Sequence, residues 1–498
     1  MEKNKINKFI FLLYSFLLTI ILRIPYLFQY FSNVDEPEYA LCGYKLLKGR
    51  LIYKEIFENK GFGLGYIYFF FMKVFPKNYL HVIHFFYLFI LFLDTFLIFK
   101  IIEKKLNKNA AFWSLIFYPA LNTLFYPIDV HKGPEFIVIF LILLGWFLIL
   151  NSFTYIIIFI SAIVIGLSIF FKQFGIILLI GFSYLTFLTT KDIKKALFYF
   201  FCGIIPFSLF LIYLFKKNIF YEWVEWNIKY PIFLSSCEKI WKKIYFIFPM
   251  VGRIFLLNPF LLIFSVIFFK ENKIVEKRDL IIILVITFIW GSIHGLPFPH
   301  HYVPFFTTLI IISIIGYFIF ISNIPNYKKN FFNCLIFFSI FQSILYWHGF
   351  DYYKKWKNFL KDREWSEEYE IRKYENLIKY IKDNTDENDK IIVWGFNPKI
   401  YLLSDREPGT RFIILDPVIG QAFVSPSSIN QYPSAEKLFL NEMGYYKVKL
   451  FIDATDNSLI NMNFFKIEKY LEIKKYLNEH FLLEKIIDGF VVYKNKNE

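Results

Sequence analysis

The sequence is poor in charged residues, and this excludes most classes of soluble protein. Only 19% of its 498 residues are charged, whereas soluble globular domains have roughly a quarter. Aromatic residues make up 22%, which is too many for a disordered chain. The net charge is +15, and the excess of lysine and arginine lies before residue 351, in the most apolar part. This pattern argues against a nucleic-acid binder and indicates a membrane protein with charged connecting loops.

Cysteine is also scarce, and the spacing of the four cysteines does not indicate a metal site. Cys202 and Cys334 fall in apolar runs, where we expect small core residues. Cys42 and Cys237 fall in predicted outer loops, where they could pair in an oxidising compartment or stay reduced. We predict no metal site and no cofactor, although an acidic pair could hold a divalent cation.

Long apolar runs predict a polytopic α-helical membrane protein. A membrane helix needs about 20 mostly apolar residues, and about eleven runs qualify. Their approximate ranges are 9–30, 81–101, 110–127, 134–151, 153–171, 174–190, 196–215, 250–269, 280–296, 303–322 and 331–349. The first run continues past Arg23 without a small-residue cleavage site, so we expect an uncleaved first helix.

Short basic loops predict the orientation, because positively charged loops stay in the cytoplasm. With the N-terminus inside, these loops all face the cytoplasm: 100–108, 191–195, 270–278 and 328–329. An odd number of spans then places residues 351–498 outside, together with the long loops 31–80 and 216–249. We find no internal repeat, and Arg23 and Asp94 are the main ionisable residues within spans. This asymmetry favours chemistry at the outer surface over transport through the bilayer.

Residues 351–498 change in character and predict a small α/β domain outside the membrane, after a transmembrane catalytic domain over 1–350. Predicted strands at 390–395, 411–415 and 448–453 alternate with predicted helices, and a hairpin surrounds Asp488-Gly489. The helices are expected at 366–385, 434–443 and 464–477. This alternation predicts a mainly parallel sheet. The segment has no GxGxxG motif or P-loop, so we assign it no nucleotide, and it could equally dock an acceptor or serve a structural role.

The first outer loop contains the most informative stretch, residues 33–49. Pro37 suits the first position of a helix, and Asp35 or Glu36 suits its N-cap. Both carboxylates then lie at the positive end of a helix on the membrane surface, which favours their ionised forms. Lys60 follows in the same loop, before a second interfacial helix at 64–75.

This arrangement suits sugar transfer from a polyprenyl phosphate. Such a donor has its reactive carbon at the membrane surface, and its phosphate leaves as a stable anion without a general acid. One carboxylate must accept the proton of the attacking hydroxyl, and cations must hold the phosphate. Alternatively, Asp35 and Glu36 only cap the helix, and Lys60 only extends its alkyl stem along apolar surface.

Several motifs, taken in order, resemble the GT-C glycosyltransferases of family 39, which include protein O-mannosyltransferases and the aminoarabinose transferases of lipid A. They are the Asp35-Glu36 pair, YALCGYKLLKG (39–49), ENKG (58–61), DVHKGPE (129–135), GLSIFFKQFG (166–175), PHHYVP (299–304), YIKDNT (380–385) and IIVWGFNPKIYLLSDREPGTR (391–411). The resemblance covers nearly the whole chain.

The resemblance implies a GT-C fold with interfacial helices in the first outer loop and an outer soluble domain. It also implies inverting sugar transfer from a polyprenyl-phosphate donor. On the matching positions, Asp35 is the catalytic aspartate, Glu36 is its neighbour, and Lys60 lies near the donor phosphate. One departure is that Gly61-Phe62-Gly63 stands where many members have prolines.

Five other residues are candidates for the same site. Asp129 could orient the sugar or the acceptor, or lie in a solvated loop. Lys172 and Arg253 could bind the donor phosphate, or anchor their helices at the interface. His301 and Tyr302 could also bind the phosphate, or belong to an interfacial aromatic belt.

The leading hypothesis is an inverting glycosyltransferase of the plasma membrane, with a cytoplasmic N-terminus. It would move a sugar from a polyprenyl-phosphate donor, held among membrane lipids, to an acceptor hydroxyl outside the cell. Lipid A, a surface glycan, a teichoic-type polymer and a protein hydroxyl all fit as acceptors. A transporter (flippase) of lipid-linked glycans is the alternative, and a non-catalytic scaffold that docks a partner is a third reading.

Overall fold

A computed structural model describes residues 2–27, 31, 35–122, 133–236, 245, 247, 248, 252, 255, 258–271, 277–293, 299–337, 357, 371–420, 431–433, 435–457 and 466–497. The chain divides into two compact units, each discontinuous in sequence. The helical unit comprises Met1–Leu27, His84–Tyr213 and Lys239–Lys361. The mixed unit comprises Phe28–Ile83, Leu214–Glu238 and Asp362–Glu498.

Helices make up most of the described chain. In order they are α1 (Glu2–Ile21), α2 (Ile24–Leu27), α3 (Glu36–Leu47), α4 (Gly63–Val74), α5 (Tyr79–Lys105), α6 (Lys108–Leu121), α7 (Pro134–Asn151), α8 (Tyr155–Gly166), α9 (Gly175–Thr190), α10 (Ile193–Lys216), α11 (Phe220–Val224), α12 (Tyr230–Ser236), α13 (Pro259–Lys270), α14 (Arg278–Ser292), α15 (Val303–Asn323), α16 (Glu375–Asn384), α17 (Lys399–Ser404), α18 (Asp416–Ile419), α19 (Ala435–Tyr445) and α20 (Leu471–His480). Residues 326–337 are also helical.

Within each predicted apolar run, residues that the structure describes are helical. This is expected, because a helix pairs its own backbone polar groups where water is absent. Four helical stretches among the described residues are long and apolar enough to cross a membrane by length and composition: Tyr79–Lys105, Pro134–Asn151, Ile193–Lys216 and His300–Asn323. The count of eleven spans and the orientation stay predictions.

Buried polar contacts join helices within the helical unit. The Asp279 carboxylate, at the start of α14, forms an ion pair of 2.6 Å with Lys105 at the end of α5. The indole N–H of Trp146 on α7 donates to the same carboxylate at 3.0 Å. One acidic residue thus fixes the relative position of three helix segments.

In the mixed unit, α3 and α4 pack against each other through two glycines. A Cβ atom at Gly43 would lie 2.6 Å from Tyr68 Cβ and 2.7 Å from the backbone nitrogen of Phe69. A Cβ atom at Gly65 would lie 2.5 Å from Cys42 Sγ. The close approach of the two helices therefore depends on the absence of side chains at these positions.

The C-terminal part of the mixed unit contains a five-stranded sheet. Its strands are β1 (Lys390–Trp394), β2 (Glu407–Pro408), β3 (Leu450–Asp453), β4 (Phe481–Ile487) and β5 (Phe490–Asn495). The order is β2-β1-β3-β5-β4, with β1 parallel to β2 and β3, and β5 antiparallel to β3 and β4. The hairpin turns at Asp488 and Gly489, whose φ values of 51° and 83° suit a two-residue turn with both central residues left-handed.

Two details of the predicted α/β segment are wrong. The sheet is evenly mixed rather than mainly parallel, because the C-terminal hairpin contributes two antiparallel strands. Residues 411–415 do not form a strand: the position beside β1 is taken by Glu407–Pro408, and residues 412–415 are buried ahead of α18. An apolar run alone does not distinguish a strand from a buried loop. The domain boundary at residue 351 stays a prediction.

Candidate active site

The first candidate residues lie at the N-terminus of α3. Asp35 occupies the N-cap position, but its side chain makes no capping hydrogen bond. Glu36 is fully buried, and its Oε1 accepts a hydrogen bond of 3.0 Å from the hydroxyl of Tyr68 on α4. The Asp35 carboxylate is therefore not used as a cap, whereas Glu36 joins the two helices.

Lys60 lies beside the same end of α3. Its ammonium group is 3.5 Å from Glu38 Oε2, and it donates a hydrogen bond of 3.1 Å to the hydroxyl of Tyr39. The backbone N–H of Lys60 donates to Glu58 Oε1 at 2.8 Å and closes the local turn. Lys60 thus contacts the first turn of α3 through its ammonium group and Glu58 through its backbone N–H.

For both Glu38 and Lys60, burial shifts the pKa in one direction and neighbouring groups of opposite charge shift it in the other. Burial raises the pKa of Glu38 to about 8, because Lys60 offsets only part of the desolvation, and Glu58 and Asp35 add repulsion. Burial by itself lowers the pKa of Lys60, but the surrounding carboxyl groups raise it well above its usual value. At neutral pH the group is therefore one lysine cation among carboxyl groups, of which Glu38 favours its neutral form.

A residue of the C-terminal segment belongs to the same group. Asp416 begins α18, and its Oδ1 is buried without a hydrogen-bond partner among the described residues. Burial raises the pKa of Asp416 to about 6, while Lys60 opposes this rise and Asp35 adds to it. The Asp416 carboxyl therefore lies within electrostatic range of both Asp35, the predicted base, and Lys60, the predicted phosphate ligand.

Glu38, Tyr39 and Asp416 were not among the site residues predicted from the sequence. Glu38 could have been found, because it lies three residues after Asp35 and shares a helix face with it. Asp416 could not, because only the fold brings the C-terminal segment to Lys60.

A second group of predicted residues lies in the helical unit. Lys172, just before α9, forms a buried ion pair of 2.8 Å with Glu135 at the start of α7. His300 Nε2 lies 4.0 Å from the same carboxylate, and His301 is buried next to it. Glu135, which was not among the predicted site residues, is thus the partner of two basic side chains.

Tyr302 lies at the start of α15. It is fully buried, and its hydroxyl donates a hydrogen bond of 3.3 Å to Ser292 Oγ at the end of α14. Its role in phosphate binding stays a prediction. Asp129 and Arg253 lie outside the described residues, so their predicted roles stay untested.

The group around Glu135 has the spacing of a metal site. Ligand atoms of Glu135, His300 and His301 all lie within 4.8 Å of one another. Carboxylate and imidazole groups are suitable ligands for zinc and similar ions. However, the Lys172 ammonium is ion-paired with Glu135, and a metal ion would have to compete with that cation.

Cys42 is a buried free thiol beside Gly65, so the reduced alternative is the one observed. Its suggested partner, Cys237, lies outside the described residues.

The fold resembles those of solved membrane glycosyltransferases. ArnT from Cupriavidus metallidurans, bound to undecaprenyl phosphate, matches with a TM-score of 0.57 and 11% identity, over 97% of this chain and 97% of ArnT. The oligosaccharyltransferase AglB from Archaeoglobus fulgidus, in complex with an inhibitory peptide and a dolichol-phosphate, matches with a TM-score of 0.52 and 13% identity, over 99% of this chain and 74% of AglB. The chain therefore shares the fold of these two enzymes, in agreement with the resemblance of its motifs.

No protein-family model matches the chain, and no curated protein matches it in sequence. Its similarity to ArnT and AglB is thus one of fold, and membership of family 39 stays a prediction.

Proposed function

We propose that this protein is an inverting glycosyltransferase that moves a sugar from a polyprenyl phosphate to an acceptor hydroxyl. One observation carries the proposal: the Asp35 carboxylate, at the start of α3, lies within electrostatic range of the Lys60 cation. This transfer requires a base and a cation in one site, since it moves a proton and releases an anion.

The chemistry assigns one role to each residue. Asp35 accepts the proton of the acceptor hydroxyl while the hydroxyl oxygen forms a bond to the anomeric carbon of the sugar. The bond from that carbon to the phosphate oxygen breaks on the opposite face, and its electron pair leaves with the phosphate. Lys60 stabilises the additional negative charge. No general acid is needed, because the leaving phosphate is already a weak base.

The surroundings of Lys60 support this role. The raised pKa of Lys60 keeps its ammonium charged, and Tyr39 orients it by a hydrogen bond and by its ring face, 4.8 Å away. Burial favours the neutral form of Glu38, so that this carboxyl group, 3.5 Å from the ammonium, neutralises the lysine charge only in part. A phosphate can therefore compete for the ammonium group.

The remaining predicted residues keep their proposed roles. We propose Lys172, Arg253, His301 and Tyr302 as further ligands of the donor phosphate, and Asp129 as a residue that orients the sugar or the acceptor. Glu135 would then act as a positioning residue, because it pairs with Lys172 at 2.8 Å.

The similar structures support lipid-linked transfer. ArnT was solved with undecaprenyl phosphate, and AglB with a dolichol-phosphate and a peptide. We propose a polyprenyl phosphate of this kind as the donor lipid and the extracytoplasmic side of the plasma membrane as the place of reaction. Because both neighbours are transferases, the transporter alternative receives no support from them.

Mass spectrometry of envelope glycans, lipids and proteins from cells with and without the gene tests the proposal. The expected result is one molecule that loses the mass of a pentose, a hexose or a derivative in cells without the gene. This mass identifies the sugar, and the molecule identifies the acceptor. Unchanged envelope molecules, together with vesicle assays in which the purified protein moves a lipid-linked glycan across the bilayer, would favour the transporter instead.

A further inference from the structure

The C-terminal segment is tied to the first loop of the mixed unit just ahead of Asp416. Arg50 Nε and Nη2 donate to the two carboxylate oxygens of Glu407 at 2.9 and 2.8 Å. The backbone N–H of Phe57 donates to the carbonyl oxygen of Arg411 at 2.7 Å. These bonds place residues 407–411 against the loop that contains Lys60, and Asp416 follows five residues later.

The position of α18 is fixed on its other side as well. The backbone N–H of Tyr432 donates to the carbonyl oxygen of Pro417 at 3.0 Å, and the hydroxyl of Tyr470 donates to the carbonyl oxygen of Ile419 at 3.1 Å. Val418 and Ile419 are fully buried. Asp416 thus begins a short helix whose next three residues are buried and whose backbone is held by two hydrogen bonds.

The carboxyl of Asp416 has unused hydrogen-bonding capacity. Its Oδ1 is buried, and no described residue donates a hydrogen bond to it. With a pKa raised by burial to about 6, the group is mostly ionised at neutral pH, and it can then only accept hydrogen bonds. A buried acceptor without a partner is unfavourable, and such atoms are rare in folded proteins unless a bound molecule supplies the donor.

We propose that Asp416 is a substrate-binding residue of the site formed by Asp35 and Lys60, and that its carboxylate accepts a hydrogen bond from a hydroxyl or ammonium group of the substrate. This inference rests on the proposed function. The hydrogen-bond donor belongs either to the sugar on the lipid phosphate or to the acceptor molecule, since both offer the same chemistry. The C-terminal segment thus contributes to substrate recognition inside the mixed unit, in addition to any docking role.

The test uses the full-length protein in lipid nanodiscs. The lipid probes are undecaprenyl phosphate alone and undecaprenyl phosphate carrying mannose, glucose or aminoarabinose, and native mass spectrometry measures their binding. An envelope extract from cells that lack the gene serves as the acceptor in transfer assays. The variants are Asp416→Ala and the more conservative Asp416→Asn, with Asp456→Ala, an exposed aspartate of the same unit, as the matched control.

If Asp416 binds the sugar, Asp416→Ala binds bare undecaprenyl phosphate like the wild type but loses about tenfold or more of its affinity for a sugar-bearing lipid. If Asp416 binds the acceptor, all lipids bind normally and the KM for the extract rises by about tenfold or more, with a smaller change in kcat. Asp416→Asn should lie between the wild type and Asp416→Ala, because the amide oxygen still accepts a hydrogen bond. The control variant should match the wild type in both assays.

Wild-type affinities and KM values in both Asp416 variants would overturn the inference while leaving the proposed function intact. An equal loss of affinity for bare and sugar-bearing lipid, with a lower unfolding temperature in both variants, would also overturn it, since that pattern indicates a structural role. If the wild type binds no probe lipid and transfers no sugar, the proposed function fails, and this inference fails with it.

Discussion

The ammonium group of Lys60 lies 3.5 Å from Oε2 of Glu38, one helical turn along α3 from Asp35. This pair holds the turn at residues 58–61 against the first turn of the helix. The positions of Asp35, the proposed base, and Lys60, the proposed phosphate ligand, therefore both depend on α3. A change in the packing of this helix should affect both residues.

Replacing Asp35 by asparagine should leave the fold intact and reduce sugar transfer by about a hundred- to ten-thousandfold, because the amide is isosteric but cannot accept the proton. The measurement is the transfer rate to the acceptor identified by mass spectrometry, alongside the unfolding temperature in detergent. Asp456→Asn, at an exposed position, is the control and should transfer normally. Turnover of Asp35→Asn within about threefold of the wild type would contradict the mechanism.

Replacing Lys60 by glutamine should weaken binding of undecaprenyl phosphate by about tenfold or more, because a charge-assisted hydrogen bond to the phosphate is lost. Binding is measured by native mass spectrometry in nanodiscs. Lys54→Gln removes a charge from an exposed position in the same loop and should bind normally. Equal losses in the two variants would mean that the loop contributes only its general positive charge.

Replacing Gly43 by alanine should lower the free energy of unfolding by about 1–3 kcal/mol, because the new Cβ would lie 2.6 Å from Tyr68 Cβ and push α3 and α4 apart. Transfer should fall too, since Glu36 and Tyr68 bridge these helices. Gly444→Ala in α19 is the control: its Cβ would approach only the Tyr476 hydroxyl, at 3.4 Å. If Gly43→Ala were as stable as this control, the helices would not be packed as described.

The contact between Arg50 and Glu407 should show a coupling energy of about 1 kcal/mol or more in a double-mutant cycle. The variants are Arg50→Met, Glu407→Gln and their combination, and the measurement is chemical or thermal unfolding of the purified protein. The bidentate geometry and the burial of Glu407 favour a measurable value. Additive effects of the two substitutions would show that this contact does not hold the C-terminal segment in place.

The pH dependence of stability should reveal the burial of Asp416. Burial raises its pKa from 3.8 to about 6, so the folded protein retains this proton at pH values where the unfolded chain has lost it. The contribution of Asp416 to the free energy of unfolding therefore falls as the pH rises from about 4 to 6, by up to about 3 kcal/mol. Asp416→Asn, which does not titrate, should gain stability relative to the wild type over this range and no more above it. A difference in unfolding temperature that stays constant between pH 4 and 7 would contradict this assignment.

Local sequence patterns account for much of the fold. Apolar runs predicted helices, because in a bilayer a helix pairs its own backbone groups. The start of α3 at Glu36 and the turn at Asp488-Gly489 also follow from local preferences, namely proline in the first turn and left-handed conformations in tight hairpins. The predicted strand at 411–415 was wrong, because its apolar residues are buried without pairing to the sheet.

The candidate site was only partly predictable for a related reason. Asp35 and Lys60 could be selected, because their residue types and their shared loop match the chemistry of lipid-linked transfer. The partnership of Glu135 with Lys172, and that of Tyr68 with Glu36, could not be predicted, because each contact joins segments that are distant in the sequence.

The sequence by itself thus determined the helices, the hairpin and the residue types of a possible base and cation, since these depend on neighbouring residues and on hydrophobicity. Only the tertiary structure decided which carboxyl groups surround Lys60, which of them burial keeps protonated, and that Asp416 joins them from the C-terminal segment. Burial and charge interactions depend on distances in space, and the spacing of residues along the chain does not specify those distances.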